Sequence, residues 1–190
     1  MQSVDAAPSP HRFTRAEYHR LAAAQLFVDE RVELLNGVIV TMSAQRSAHA
    51  STVQRLFRLL LEALGTHATV RAQAPIILDD WSEPEPDIAL CEPDAQDYAR
   101  EHPKASQVRL VIEVADTSLT YDRTQKASLY AASNIPLYWI VNLVERRVEM
   151  FSDPDPTAGR YRSEAPATTA NTLVLPGGTP LAVAAVLPPS

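Results

Sequence analysis

The 190 residues suit one domain with a well-buried core, and 46% apolar with 21% charged residues is ordinary for a globular protein. Cys91 is the only cysteine, which excludes an internal disulfide and a cysteine-rich zinc cage. A net charge of −6 argues against a broadly basic nucleic-acid-binding surface, so any such contact must be local, metal-assisted or shared across an oligomer.

Residues 1–12 read as a loose leader without periodicity, ahead of one domain over residues 13–190. The opening MQSVDAAPSPHR has no apolar core of the secretory kind. The apolar run Leu181 to Leu187 is too short to cross a bilayer, so the cytoplasm is the expected location. Thr14 to Leu26 is predicted helical, with Thr14 as N-cap and Glu17 closing a capping box. Val32 to Met42 is two β-rich runs around Asn36-Gly37, the signal of a tight hairpin. In Ser47 to Leu64, Val53, Leu56, Leu60 and Leu64 recur at helical spacing, and Gly65 is a natural stop.

Strands are predicted at Val70–Gln73, Ile76–Leu78 and Asp87–Cys91, with the SEPEP loop before the last. Val108 to Ala115 is a buried strand and Thr120 to Ser133 the helix after it. Leu137 to Leu143 is a further strand, and Glu145-Arg146-Arg147 an exposed turn. Val148 to Phe151 returns antiparallel, and short β segments surround Tyr161 and Leu173. Hairpin and crossover connections together imply an α/β or α+β sheet covered by helices.

The informative feature is charge inside apolar strands. In VRLVIEVA, Val111, Glu113 and Ala115 share one face of the strand. Burying an unpaired carboxylate there costs several kcal/mol. In PDIALC, Asp87 shares a face with Ala89 and Cys91. On adjacent strands the two acids would raise each other's pKa unless a cation lay between them, and hard oxygen donors select Mg²⁺ or Mn²⁺. Asp122, Lys126 and Tyr130 follow at intervals of four and form one helical stripe, from which Lys126 can reach back to the carboxylates. A lysine there can orient the attacking water and offset charge growing on a phosphate.

The runs EPDIAL, RLVIEVADTS and YDRTQKASLYAASNIPLYWIVN, with VELLNGVIVTMS and His49 before them, resemble the Uma-two-type restriction endonuclease family of the PD-(D/E)XK nuclease superfamily. The resemblance spans roughly residues 12–155. It implies a restriction-endonuclease-like mixed β-sheet flanked by helices in a single domain. It further implies one or two Mg²⁺ or Mn²⁺ ions held by Asp87, Glu113 and the backbone carbonyl of Val114, with Lys126 as the catalytic lysine. DNA is the implied substrate, RNA stays open, and a homodimer would supply the two sites that cutting both strands needs. Ala115 stands where the superfamily's short motif carries lysine, and Lys126 matches the family's displaced position. Leu137 and Asn142 replace a frequent glutamate and aspartate.

Alternatives stand beside these readings. Glu113 pairs with Arg71 or Arg109 as a structural ion pair, or binds metal. Glu33 assists the metal or decorates an edge strand. His49 is a hydrogen-bonder at the helix start or a base. Lys126 forms an i,i+4 pair with Asp122, and Asp122 and Tyr130 support it from behind. His11, His19, His67 and His102 show no zinc-ligand spacing, and no phosphate-cradling glycine loop is present. Tyr138, Trp139 and Cys91 read as core. The competing function is a catalytically inactive nuclease-fold module with a binding or regulatory role.

Overall fold

Local sequence signals set the first elements. In the computed structural model, which describes residues 9–188, the Thr14 hydroxyl accepts from the Glu17 N–H, and the Glu17 carboxylate accepts from the Thr14 N–H. This capping box starts α1 (Arg15–Ala23). The helix ends before the expected Leu26, where Gln25 turns to a φ of 61°. The expected leader falls mostly on residues 1–8, outside the described residues, and residues 9–12 carry no helix or strand.

β1 (Val32–Leu35) and β2 (Val38–Thr41) pair antiparallel with Leu35 opposite Val38. Asn36 and Gly37 take φ values of 51° and 78°, as a type I′ turn requires. The helix α2 (Ser47–Leu64) ends at Gly65, and buries Val53, Leu56, Leu60 and Leu64 on one face. Each fully buried aliphatic side chain of this kind contributes about 1.5–3 kcal/mol.

The main sheet has six strands: β3 (Thr69–Ala72), β4 (Ile88–Cys91), β5 (Val108–Ala115), β6 (Leu137–Asn142), β7 (Arg147–Asp155) and β8 (Arg160–Ala167). They lie in that order; β5 and β6 are parallel and every other pair is antiparallel. The parallel step needs a crossover, which α3 supplies. α3 begins as Leu119–Tyr121, passes through the π-helical stretch Asp122–Lys126, and continues as Ala127–Ala132. Near the C-terminus, β9 (Thr172–Val174) and β10 (Pro180–Ala182) form a hairpin, followed by α4 (Val183–Val186).

The strand expected at Ile76–Leu78 does not form. Ile76 and Ile77 donate to the carbonyls of Pro84 and Pro103, and only isolated bridges result. Ala105 returns one N–H to the Ile77 carbonyl, but the 3₁₀ turn Ala105–Gln107 ends the pairing after that single bridge.

The sheet separates two apolar layers. On one side α2 and the C-terminal segment cover Ile88, Leu90, Leu110 and Ile112. On the other, α3 covers Ala89, Cys91, Val111 and Ala115, with Tyr130, Tyr138 and Ile140. Tyr138, Trp139 and Cys91 are buried core, as expected. Strand alternation puts Asp87 and Glu113 in this second layer, beneath α3.

Candidate active site

The strand register brings the two acids together. Ile88 pairs with Ile112, and one step along this antiparallel ladder sets Asp87 opposite Glu113. The Asp87 N–H lies 3.4 Å from Glu113 Oε2. Both side chains are buried, with residue exposures of 7% and 4%. Neither is held by a guanidinium. Arg71 lies against His102 and the Tyr98 ring, and Arg109 pairs with Glu92, so the structural Arg–Glu113 alternative is not realised.

The helix answers from above. Lys126 Nζ lies 3.0 Å from Glu113 Oε1 and 3.4 Å from Glu33 Oε1. The Tyr130 hydroxyl donates to the same Glu113 Oε1 at 2.8 Å. Two donors therefore hold Oε1 and leave Oε2 facing Asp87. Glu33 is thus part of the buried cluster and no mere edge decoration; its other oxygen accepts the Glu85 N–H at 3.1 Å. The π-helical stretch retains the predicted alignment of Asp122, Lys126 and Tyr130, all three buried.

Two details differ from the sequence reading. Asp122 does not pair directly with Lys126; its carboxylate accepts from Ser118 Oγ at 2.6 Å. Tyr130 supports Glu113 and not Lys126. The physical reason is the same in both cases: a nearer donor or acceptor stands on the site floor or in the preceding turn. Ser118, four residues before Asp122, was detectable as a helix-start hydroxyl.

Asp87 is equally constrained. Its Oδ2 accepts the Val114 N–H at 2.8 Å, and its Oδ1 lies 2.9 Å from His49 Nε2 at the start of α2. Gln73, which follows β3, approaches Oδ1 at 3.5 Å. No periodicity marks Gln73 as a site residue, because only the β3–β4 pairing brings it there.

Electrostatics reflect this crowding. Burial pushes the Glu113 carboxyl up to about 8; Lys126 opposes the rise, while Asp87, Asp122 and Glu33 add to it. Burial also raises Asp122, against its Ser118 bond and Lys126. Burial disfavours the Lys126 ammonium, but Glu113, Glu33 and Asp122 outweigh it and hold the lysine above its ordinary range. For His49 burial is likewise outweighed, by Asp87, a Val114 backbone hydrogen bond and Asp116, so its pKa is raised.

A cavity of about 310 Å³ opens over this cluster, walled by β2, the start of α2, the end of β5 and the start of α3. Its acids are Glu33, Glu85, Asp87, Glu113, Asp116 and Asp122; its permanent cations are Arg46 and Lys126. The donors suit a hard divalent cation: carboxylate oxygens, plus a Val114 backbone that faces His49 and Asp87. Among the described residues no group of three His, Cys, Asp or Glu side chains is placed to hold a metal ion by itself. Mg²⁺ is commonly bound through only one or two carboxylates, with water and substrate oxygens completing its shell.

Comparisons with known proteins bear on the fold and the family. A crystal structure titled a "putative nuclease belonging to DUF820" from Anabaena variabilis has a similar fold. The TM-score is 0.66 at 12% identity, over 92% of this chain and 97% of the other. No curated protein matches. Residues 15–186 match the Uma2 family, described as "Putative restriction endonuclease". On that match over most of its length, this mixed α/β chain belongs to the Uma2 family.

Proposed function

We propose that the protein is a Mg²⁺- or Mn²⁺-dependent endodeoxyribonuclease of the PD-(D/E)XK type, working with one or two ions. The observation that carries this reading is the facing pair Asp87 and Glu113, with Lys126 on Oε1 of Glu113. Asp87, Glu113 and the Val114 carbonyl would hold the ion, which supplies activation of water and polarisation of the phosphate. The family membership supports a nuclease; the metal, the DNA substrate and the residue roles are this reading's own.

The chain's residues do the remaining work. Lys126 orients the attacking water and offsets charge that grows on the phosphate. Tyr130 fixes the rotamer of Glu113 through Oε1, and His49 fixes that of Asp87 through Oδ1. Glu33 anchors Lys126 from the opposite side, and Asp122, tied to Ser118, adds negative charge beside it. Residues 13–190 act as one nuclease domain. A homodimer would provide two sites for the two strands of a duplex. No helix among the described residues is long and apolar enough to cross a membrane, and we place the protein in the cytoplasm.

The acid-rich cavity and the net charge of −6 favour a second reading, an inactive nuclease-fold module that binds or regulates. Incubation with plasmid and single-stranded DNA across divalent metals separates the two. The nuclease reading expects cleavage that falls roughly a hundredfold or more in Asp87→Ala and Glu113→Ala, since even partners one shell out from a metal are worth 10–100-fold. Cleavage by those variants at the parent rate refutes the site assignment, and no cleavage by any preparation favours the inactive module.

A further inference from the structure

A second groove lies beside the catalytic cavity and shares two walls with it. Its volume is about 200 Å³, and it is lined by Leu35, Val38, Val40, Leu129, Tyr121, Asn36 and Gln125. Val40 and Tyr121 also line the catalytic cavity, so the two spaces meet at these side chains.

The sequence places both spaces on one surface. Glu33 pairs with Val40 and Leu35 with Val38, so all four side chains project from the same face of the β1–β2 hairpin. Glu33 reaches Lys126 from this face. On α3, Tyr121, Gln125 and Leu129 each precede by one residue the stripe of Asp122, Lys126 and Tyr130. One hairpin face and one helix therefore build a charged compartment and, next to it, a neutral one.

The chemistry of the two compartments differs sharply. The first carries carboxylates and Lys126. Among the described residues the second has no charged side chain in its lining, which makes it a poor phosphate site. It offers aliphatic walls, a half-buried tyrosine ring at the junction, and exposed amides at Asn36 and Gln125. Asn36 uses only its backbone groups in bonds to Arg12 and Ser82. A flat, uncharged ring system edged with hydrogen-bonding groups meets every one of these features. The volume is below the range of drug-sized pockets and suits a single such ring system.

Resting on the nuclease reading, we propose that this groove receives an unpaired nucleobase of a single-stranded nucleic acid, from the nucleotide next to the phosphate in the catalytic cavity. The base stacks on Tyr121, packs on Val38 and Val40, and presents its edge to Asn36 and Gln125. A base held in a duplex cannot enter, because its faces and edge are already covered. A duplex reaches the groove only where its strands are locally opened, so single strands are preferred, and each site of a homodimer would take one opened strand.

Binding measured in Ca²⁺, separately from cleavage, tests the groove on its own. The probes are a labelled oligothymidylate, an abasic strand of equal length, and a duplex, followed by fluorescence anisotropy. Oligothymidylate is expected to bind about five- to hundredfold tighter than the abasic strand, the range that one stacked base contributes, and tighter than the duplex. Tyr121→Leu and the surface change Val38→Asp should each remove most of that difference, read as the ratio of the two affinities so that any effect on the phosphate backbone common to both strands cancels. Equal affinity for the base-bearing and abasic strands overturns the assignment, as does discrimination that survives both variants, or no binding to any strand. If Val38→Asp alters only the oligomeric state, the groove belongs to a second copy of the chain and the assignment is again wrong. Discrimination in binding without cleavage in Mg²⁺ or Mn²⁺ would leave the base site standing and remove the nuclease reading.

Discussion

Replacing Lys126 with methionine removes the ammonium that sits between two buried carboxylates while nearly preserving side-chain volume. Its Nζ lies 3.0 Å from Glu113 and 3.4 Å from Glu33, and the side-chain exposures of all three are 7% or less. Removing one partner of a buried ion pair costs about 3–5 kcal/mol, because the partner left behind is charged and dry. For a chain of this length each kcal/mol lowers Tm by about 2–4 °C, so the expected fall is about 6–20 °C. The assay is thermal and urea denaturation in EDTA, on the parent, Lys126→Met, Glu113→Gln and the double variant. The double variant should be less damaged than the sum of the singles by roughly 0.5–3 kcal/mol, the range for directly coupled neighbours. Mn²⁺ should recover part of the Lys126→Met deficit by binding the native state only. A Lys126→Met protein within about 1 kcal/mol of the parent, with additive effects in the double variant, would refute the argument that a cation is required between these acids.

Two other groups give independent expectations. Glu149, buried in β7, accepts from Arg123 Nε at 2.7 Å, Asn142 Nδ2 at 2.9 Å and Arg147 Nε at 3.2 Å, and these bonds outweigh burial to lower its pKa to about 2. With the folded value depressed below an ordinary 4.5, the stabilisation is fully present above that pH and is lost as pH falls toward about 2. The gap corresponds to roughly 3 kcal/mol, so urea midpoints of the parent should drop over this window while those of Glu149→Gln drop less; parallel curves would contradict it. Gly37 holds the hairpin turn at φ +78°, and a Cβ there would stand 2.7 Å from Arg12 Cβ. Gly37→Ala should cost about 1 kcal/mol or more by denaturant unfolding, and a neutral result would show the turn to be less constrained than its geometry implies.

Much of this arrangement was legible because it rests on short-range rules. Thr14 with Glu17 marked a helix start, and Asn36-Gly37 marked a hairpin; each depends on residues within three positions. Glu113 was legible for a different reason: a carboxylate in a strand of valines, a leucine and an isoleucine has no cheap alternative to a partner. The Asp122–Lys126–Tyr130 stripe followed from helical spacing, and the π-helical stretch did not disturb it. What stayed hidden depends on tertiary placement. Ile76–Leu78 has strand composition, yet its neighbours in space are proline carbonyls. Glu149 looks like an exposed residue of a β-hairpin, but Arg123 from the crossover helix closes over it. Gln73 reaches Asp87 only through the β3–β4 pairing. His49 could be placed at a helix start, but its 2.9 Å contact with Asp87 requires α2 to lie across the end of the sheet.

The central claim is that Asp87 and Glu113 together hold a divalent cation, and calorimetric titration of the purified protein with Mn²⁺ tests it most directly. The account expects saturable binding of one or two ions per chain, lost in both Asp87→Ala and Glu113→Ala while each variant still unfolds cooperatively. Parent protein that binds no Mn²⁺, or variants that bind it as tightly as the parent, would contradict the account.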